Sequence, residues 1–237
     1  MNAAALSLSD RTRELLAAGP DHLRDWMVRR QGRLAVLCIA CIVVGAGAYG
    51  AVIGSWRAPL QACYTAVKLP LVILLTTLGN GLLNGMLAPL LGLNVTFRQA
   101  FIAVLMTFAV TALVLGALSP VAWFIIWNTP PLTGKTSLLS PEYSFLQLTL
   151  AVCVAVAGVA GNLRLVPLLR QWTGNAATAR NVLLAWLAGN LFLGSQICWV
   201  LRPFIWDIHR PVEFFCPDAL KGSFFETVCK AIGLVIG

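Results

Sequence analysis

Apolar residues in this chain come in long blocks, not at the two- or three-residue spacing of a half-buried surface element. Five blocks, over 34–55, 69–91, 101–127, 143–163 and 182–201, reach the roughly 20 residues a helix needs to cross about 30 Å of hydrocarbon. Four of them are flanked by residues that suit the membrane surface: Arg33 and Trp56-Arg57 around the first, Trp127 at the end of the third, Arg164 and Arg170 after the fourth, Arg202-Pro203 after the fifth. The pattern predicts an all-α protein, a polytopic membrane helix bundle with five transmembrane helices.

The two ends differ from the blocks. Residues 1–32 read as two short helices, the first capped by Ser9 and stopped by Gly19-Pro20. The second sets Leu23, Trp26 and Met27 on one face beside Arg24, Arg29 and Arg30, which suits a helix lying among headgroups or packed on another subunit. Residues 204–237 form a tail with Trp206, Phe214 and Phe215, then Ser223 and Glu226 at capping-box spacing, then Phe224, Val228, Ala231, Ile232 and Val235 at helical spacing. That final helix is too short to span. The expected organisation is a cytoplasmic or interfacial segment over 1–32, a bundle over 33–203 and an interfacial tail over 204–237. The acidic residues Asp10, Glu14, Asp21 and Asp25 ahead of the first block do not fit a signal peptide, so that block is expected to be a retained span.

Small and polar residues inside the blocks are the candidate contact points. Ala46, Gly50 and Gly54 form a stripe at i, i+4, i+8, and Ala157 with Gly161 forms a second. Gly81 and Gly85 make a GxxxG pair in the second block, beside Asn80 and Asn84 on a shared face. Such spacing lets another helix come close. Asn80, Asn84, Asn190 and Gln196 are amides at membrane depth, able either to line a path for a polar solute or to hydrogen-bond between helices. No Asp, Glu, Lys or Arg falls near the centre of a block, which argues against a proton-coupled pump or ion carrier.

Composition sharpens this picture. The chain is 59% hydrophobic and 11% charged over 237 residues, against about a quarter charged in soluble domains. Its net charge of +8 sits at block ends without a basic stripe or interleaved aromatics, so anionic lipid headgroups fit as partners and nucleic acid does not. With the N-terminus cytoplasmic, that side receives ten basic residues (six up to Arg33, then Arg98, Arg164, Arg170 and Arg180) and the other side seven. The bias predicts N-in, C-out; a re-entrant second block would invert everything after it.

Cofactor chemistry finds no foothold. The two histidines, His22 and His209, exclude multi-histidine haem or di-metal sites, and Asp207, His209, Glu213, Cys216, Asp218 and Cys229 match no zinc spacing. A Cys216–Cys229 disulfide is open to a tail in an oxidising compartment, while Cys38, Cys41, Cys153 and Cys198 read as small packing residues. Gly134-Lys135-Thr136 lacks the upstream glycine of a P-loop, and Asn94-Val95-Thr96 fits a glycosylation acceptor but falls in a tight cytoplasmic-side turn.

Trp56-Arg57-Ala58-Pro59 running into the second block, followed by Val95-Thr96-Phe97-Arg98-Gln99-Ala100 entering the third, resembles bacterial members of the Yip family of membrane proteins. The resemblance implies five spans and a cytoplasmic N-terminal segment. The Asp-Leu-Tyr-Gly-Pro element of eukaryotic members is missing, and with it the basis for their vesicle-traffic role. The expected function is that of a structural or assembly subunit in a bacterial inner membrane, non-enzymatic and without cofactors, binding other membrane-protein subunits or a second copy of itself. The alternative is a channel or transporter component that uses the Asn-rich second span.

Overall fold

The computed structural model describes residues 25, 31–90, 95–130, 141–202, 204 and 211–226. Five helices carry the fold: α1 (Gln31–Ser55), α2 (Pro59–Leu90), α3 (Phe97–Asn128), α4 (Pro141–Thr173) and α5 (Ala176–Val200). All five are long and apolar enough to cross a membrane. Val44, Met86, Leu90, Trp127 and Leu191 are each at least 70% exposed. So much apolar surface would be a liability in water but is ordinary against lipid.

Local sequence sets the helix ends. Pro59 opens α2, where a missing N–H loses nothing. Thr96 and Gln99 close a full capping box on α3: the Gln99 N–H donates to Thr96 Oγ1 at 3.3 Å, and the Thr96 N–H donates to Gln99 Oε1 at 2.9 Å. The threonine of the N-x-T triplet is therefore a helix cap. Between α4 and α5 the chain turns in two residues. Gly174, at φ 63°, takes the left-handed conformation that only glycine adopts freely, and its N–H donates to the Arg170 carbonyl. Asn175 then caps α5 by accepting from the Ala177 N–H at 2.8 Å.

α1, α2 and α3 pack on one another and form the inner layer, while α4 packs on α3 and α5 closes against α2 and α4. Between 44% and 61% of the apolar window is buried in the inner three, against 33% in α4 and 11% in α5, so the α4–α5 pair is a thin outer layer. Lipid tails are as apolar as leucine, so the inner layer depends on close packing. A Cβ at Gly45 would stand 2.7 Å from the Ala112 carbonyl carbon of α3, and one at Gly116 would stand 3.0 Å from Gly45 Cα. On the next face of α1, Gly50 and Gly54 lie against the backbone of α2 at Thr65 and Gln61-Ala62. Ala46 is fully buried beside them. The predicted stripe thus serves α2, and Gly45, outside that stripe, serves α3. Gly161 meets the Thr107 carbonyl of α3 in the same way, beside buried Ala157. Tyr49 of α1 reaches across to donate to the Leu150 carbonyl of α4 at 3.2 Å.

All five helices outrun their predicted spans, two of them by ten residues at one end. α2 begins ten residues before residue 69 and α4 continues ten residues past residue 163. α2 therefore contains Lys68, and α4 contains Arg164, Pro167 and Arg170. Apolar run length stops at the first charge, whereas the hydrogen-bond ladder continues through it. The two predicted helices of residues 1–32 lie outside the described residues except at their edges, as does most of the final helix. Its start is seen: the Glu226 N–H donates to Ser223 Oγ at 3.1 Å, the first half of the capping box.

Candidate functional site

The polar residues of α2 fall on one i, i+4 ridge. Lys68, Val72, Thr76, Asn80 and Asn84 follow one another at four-residue steps, about 24 Å along the axis at ~1.5 Å per residue. Gln61 and Thr65 extend the polar face toward the helix start. All of these are buried, and Gln61, Thr65, Lys68 and Asn80 expose no surface at all. A buried polar group is stable only with partners, so the partners define what the ridge does.

At the Gln61 end the partners come from the tail. Gln61 Nε2 donates to the Phe204 carbonyl, and Thr65 Oγ1 donates to the Gln61 carbonyl at 2.9 Å. Lys68 Nζ stands 5.8 Å from the Phe204 ring centre and 5.1 Å from that of Phe214, within range of a cation–π contact with both faces. Phe214 is itself set edge-on to Tyr64 of α2. The tail is fastened by Arg202, which stacks 3.9 Å over the Trp199 ring and donates to the carbonyls of Trp199, Asp218 and Ala219. Cys216, buried in this turn, is a free thiol, and Cys229 lies outside the described residues.

Farther along α2 the partner is α5. The side-chain amides of Asn80 and Asn190 share a hydrogen bond across the contact. Gly189 makes room for it, since a Cβ there would stand 2.8 Å from Asn80 Oδ1. Thr76 lies beside Gly194. Asn84 is 2% exposed, and its Nδ2 has no hydrogen-bond partner among the described residues; the same holds for Thr76 Oγ1.

Of the predicted site residues, Asn80 and Asn190 are therefore brought together. Asn84 sits one turn on and joins no pair. Gln196 is separate from them: its Oε1 accepts from the Phe224 N–H at 3.3 Å, tying the tail back onto α5 beside the stacked rings of Phe192 and Phe225. Gly81 and Gly85 do lie at a helix contact, but in an unexpected form. They seat the rings of Phe101 and Phe97 from α3 instead of a second backbone. Lys68, Gln61, Thr65 and Thr76 were missed. Four-residue counting back from Asn84 reaches Thr76 and Lys68, and Pro59 as a helix start would have placed all four on α2.

Lys68, which the apolar runs left outside the second span, lies within α2 nearer its start than its centre, a cation sealed under two aromatic rings. Its burial leaves no surface for a substrate to reach. Among the described residues no three His, Cys, Asp or Glu side chains converge as a metal site would require. No family model matches the chain, and no curated protein or solved structure shows a match to it.

Proposed function

We propose that this chain is a non-catalytic subunit of a membrane-protein assembly, built on a Yip-like five-span plan. It sits in a bacterial inner membrane with its N-terminal segment cytoplasmic. The observation that carries this reading is the outer face of α4. Ala151 and Ala155 are exposed, and Gly158 follows on the same face with nothing within 4 Å of where its Cβ would stand. Inside the bundle, glycines at this spacing are used up against neighbouring backbones (Gly50, Gly54, Gly161) or aromatic rings (Gly81, Gly85). On α4 an equivalent set faces outward, and small residues at i, i+4, i+7 admit another helix.

The polar ridge supports the same reading. A solute path needs polar groups on an accessible wall, and Lys68, Thr76, Asn80 and Asn84 are instead buried, Lys68 under the tail and Thr76 and Asn80 against α5. The transporter alternative would require α5 to swing away from α2. Orientation rests on arginine: Arg33, Arg98, Arg164, Arg170 and Arg180 all lie toward the end of the bundle where α1 begins.

The test is mild-detergent purification from native membranes of the wild type beside Gly158→Leu and Ala155→Leu. A Cβ at position 158 meets nothing within 4 Å and Ala155 is exposed, so helicity and melting should hold while stoichiometric partners or the self-associated form are lost. Recovery of the wild type only as a free monomer would refute the proposal, as would partner retention unchanged in both variants. Solute flux by the purified chain in liposomes would favour the alternative.

A further inference from the structure

A cleft of about 460 Å³ opens beside the α4–α5 turn, lined by Val166, Arg170, Ala176, Ala177, Arg180 and Leu183. Its size falls within the roughly 300–1,000 Å³ of small-molecule sites. Two guanidinium groups share a cleft whose other walls are apolar, and among the described residues no carboxylate lines it. We infer that this cleft binds an anionic membrane phospholipid, with Arg170 and Arg180 clamping the phosphate and an acyl chain lying along Val166 and Leu183.

Position, charge and shape agree on this ligand. Arg170 is three residues from the end of α4 and Arg180 four from the start of α5, which puts both within about 6 Å of the turn along the helix axes. That is headgroup depth for helices that span. Guanidinium groups bind phosphate oxygens in pairs, with geometry lysine cannot copy. The start of α5 adds the positive end of its helix dipole. A zwitterionic choline lipid would bring a third cation next to the two guanidinium groups, so the site favours a headgroup with net negative charge. The apolar walls favour a lipid over free phosphate, which would leave them wet.

The experiment measures thermal unfolding of the purified full-length chain in mild detergent. It is titrated with dioleoylphosphatidylglycerol, with dioleoylphosphatidylcholine, or with inorganic phosphate. Saturable stabilisation is expected from the glycerol lipid alone. Arg170→Gln with Arg180→Gln should weaken it about tenfold or more, since two charge-assisted hydrogen-bonding groups are lost. Ala177→Phe keeps both charges but fills the cleft, and should abolish the response even if the double variant folds poorly. Arg98→Gln, at the same end of the bundle but outside the cleft, should retain it. Equal stabilisation by the choline lipid or by inorganic phosphate would overturn the inference. So would a full response in Ala177→Phe, or an equal loss in Arg98→Gln, which would mark a diffuse basic surface.

Discussion

Replacing Gly45 with alanine tests the inner layer at its tightest point. The new methyl would stand 2.7 Å from the Ala112 carbonyl carbon and closer still to its oxygen. Comfortable carbon contacts lie at about 3.5–4.0 Å, so α1 and α3 must separate by about 1 Å. A gap of that size forfeits a quarter to a half of each contact at the crossing. With on the order of 40 atom pairs at about 0.15 kcal/mol each, the loss comes to about 1.5–3 kcal/mol. Helix propensity returns up to about 1 kcal/mol for Gly→Ala, leaving a net destabilisation of about 0.5–2 kcal/mol. Gly158→Ala is the matched control: the same chemical change with no neighbour within 4 Å, and so neutral or stabilising. Unfolding by SDS titration from mild-detergent micelles, followed by circular dichroism, reads both. If Gly45→Ala is as stable as Gly158→Ala, the α1–α3 contact is not as close as described and the packing argument fails.

Three further outcomes follow from the α2 ridge and the bundle's topology. Lys68→Met keeps the stem under Phe204 and Phe214 without the charge and should leave stability within about 1 kcal/mol of wild type, whereas Lys68→Glu, which sets an anion against two ring faces, should prevent recovery of folded protein from membranes. Asn80→Leu should destabilise, and a double-mutant cycle with Asn190→Leu should return a coupling of about 0.6 kcal/mol, while Asn84→Leu removes an unpartnered donor and should be neutral or stabilising; equal losses at 80 and 84 would contradict the pairing. Topology reporters fused at Gly92, Ser137, Thr173 and Gly237 should alternate in, out, in, out, and two adjacent fusions on one side would refute the five-span orientation.

The existence of five helices was legible because lipid demands long apolar runs, and nothing in the chain competes with that signal. Helix ends were less legible. Lys68 and Arg164 resemble boundaries until their surroundings are known, and the rings that cover Lys68 come from the tail. Small-residue spacing located Gly50, Gly54 and Gly161 at close contacts, since each sits in a repeating set. Gly45 has no glycine or alanine four positions away on either side and is recognisable only once α1 lies against α3. GxxxG spacing at Gly81 and Gly85 marked a contact but could not say that aromatic rings would fill it. Likewise, the spacing of Asn80 and Asn84 put them near one face, but only the fold separates the paired amide from the unpaired one.

The order in which the chain is made gives the α2 ridge a further meaning. Asn80 waits for a partner 110 residues downstream, and Gln61 for one 143 residues downstream. While α2 enters the bilayer, two amides and a cation face lipid or translocation machinery with none of their eventual neighbours yet synthesised. Insertion of α2 is therefore provisional, and it becomes stable only when α5 and the tail arrive. A chain that stalls before residue 190 would leave Asn80 without its partner at membrane depth. Docking of Phe204 and Phe214 over Lys68 is thus a contact that α2 can make only long after it has itself been synthesised.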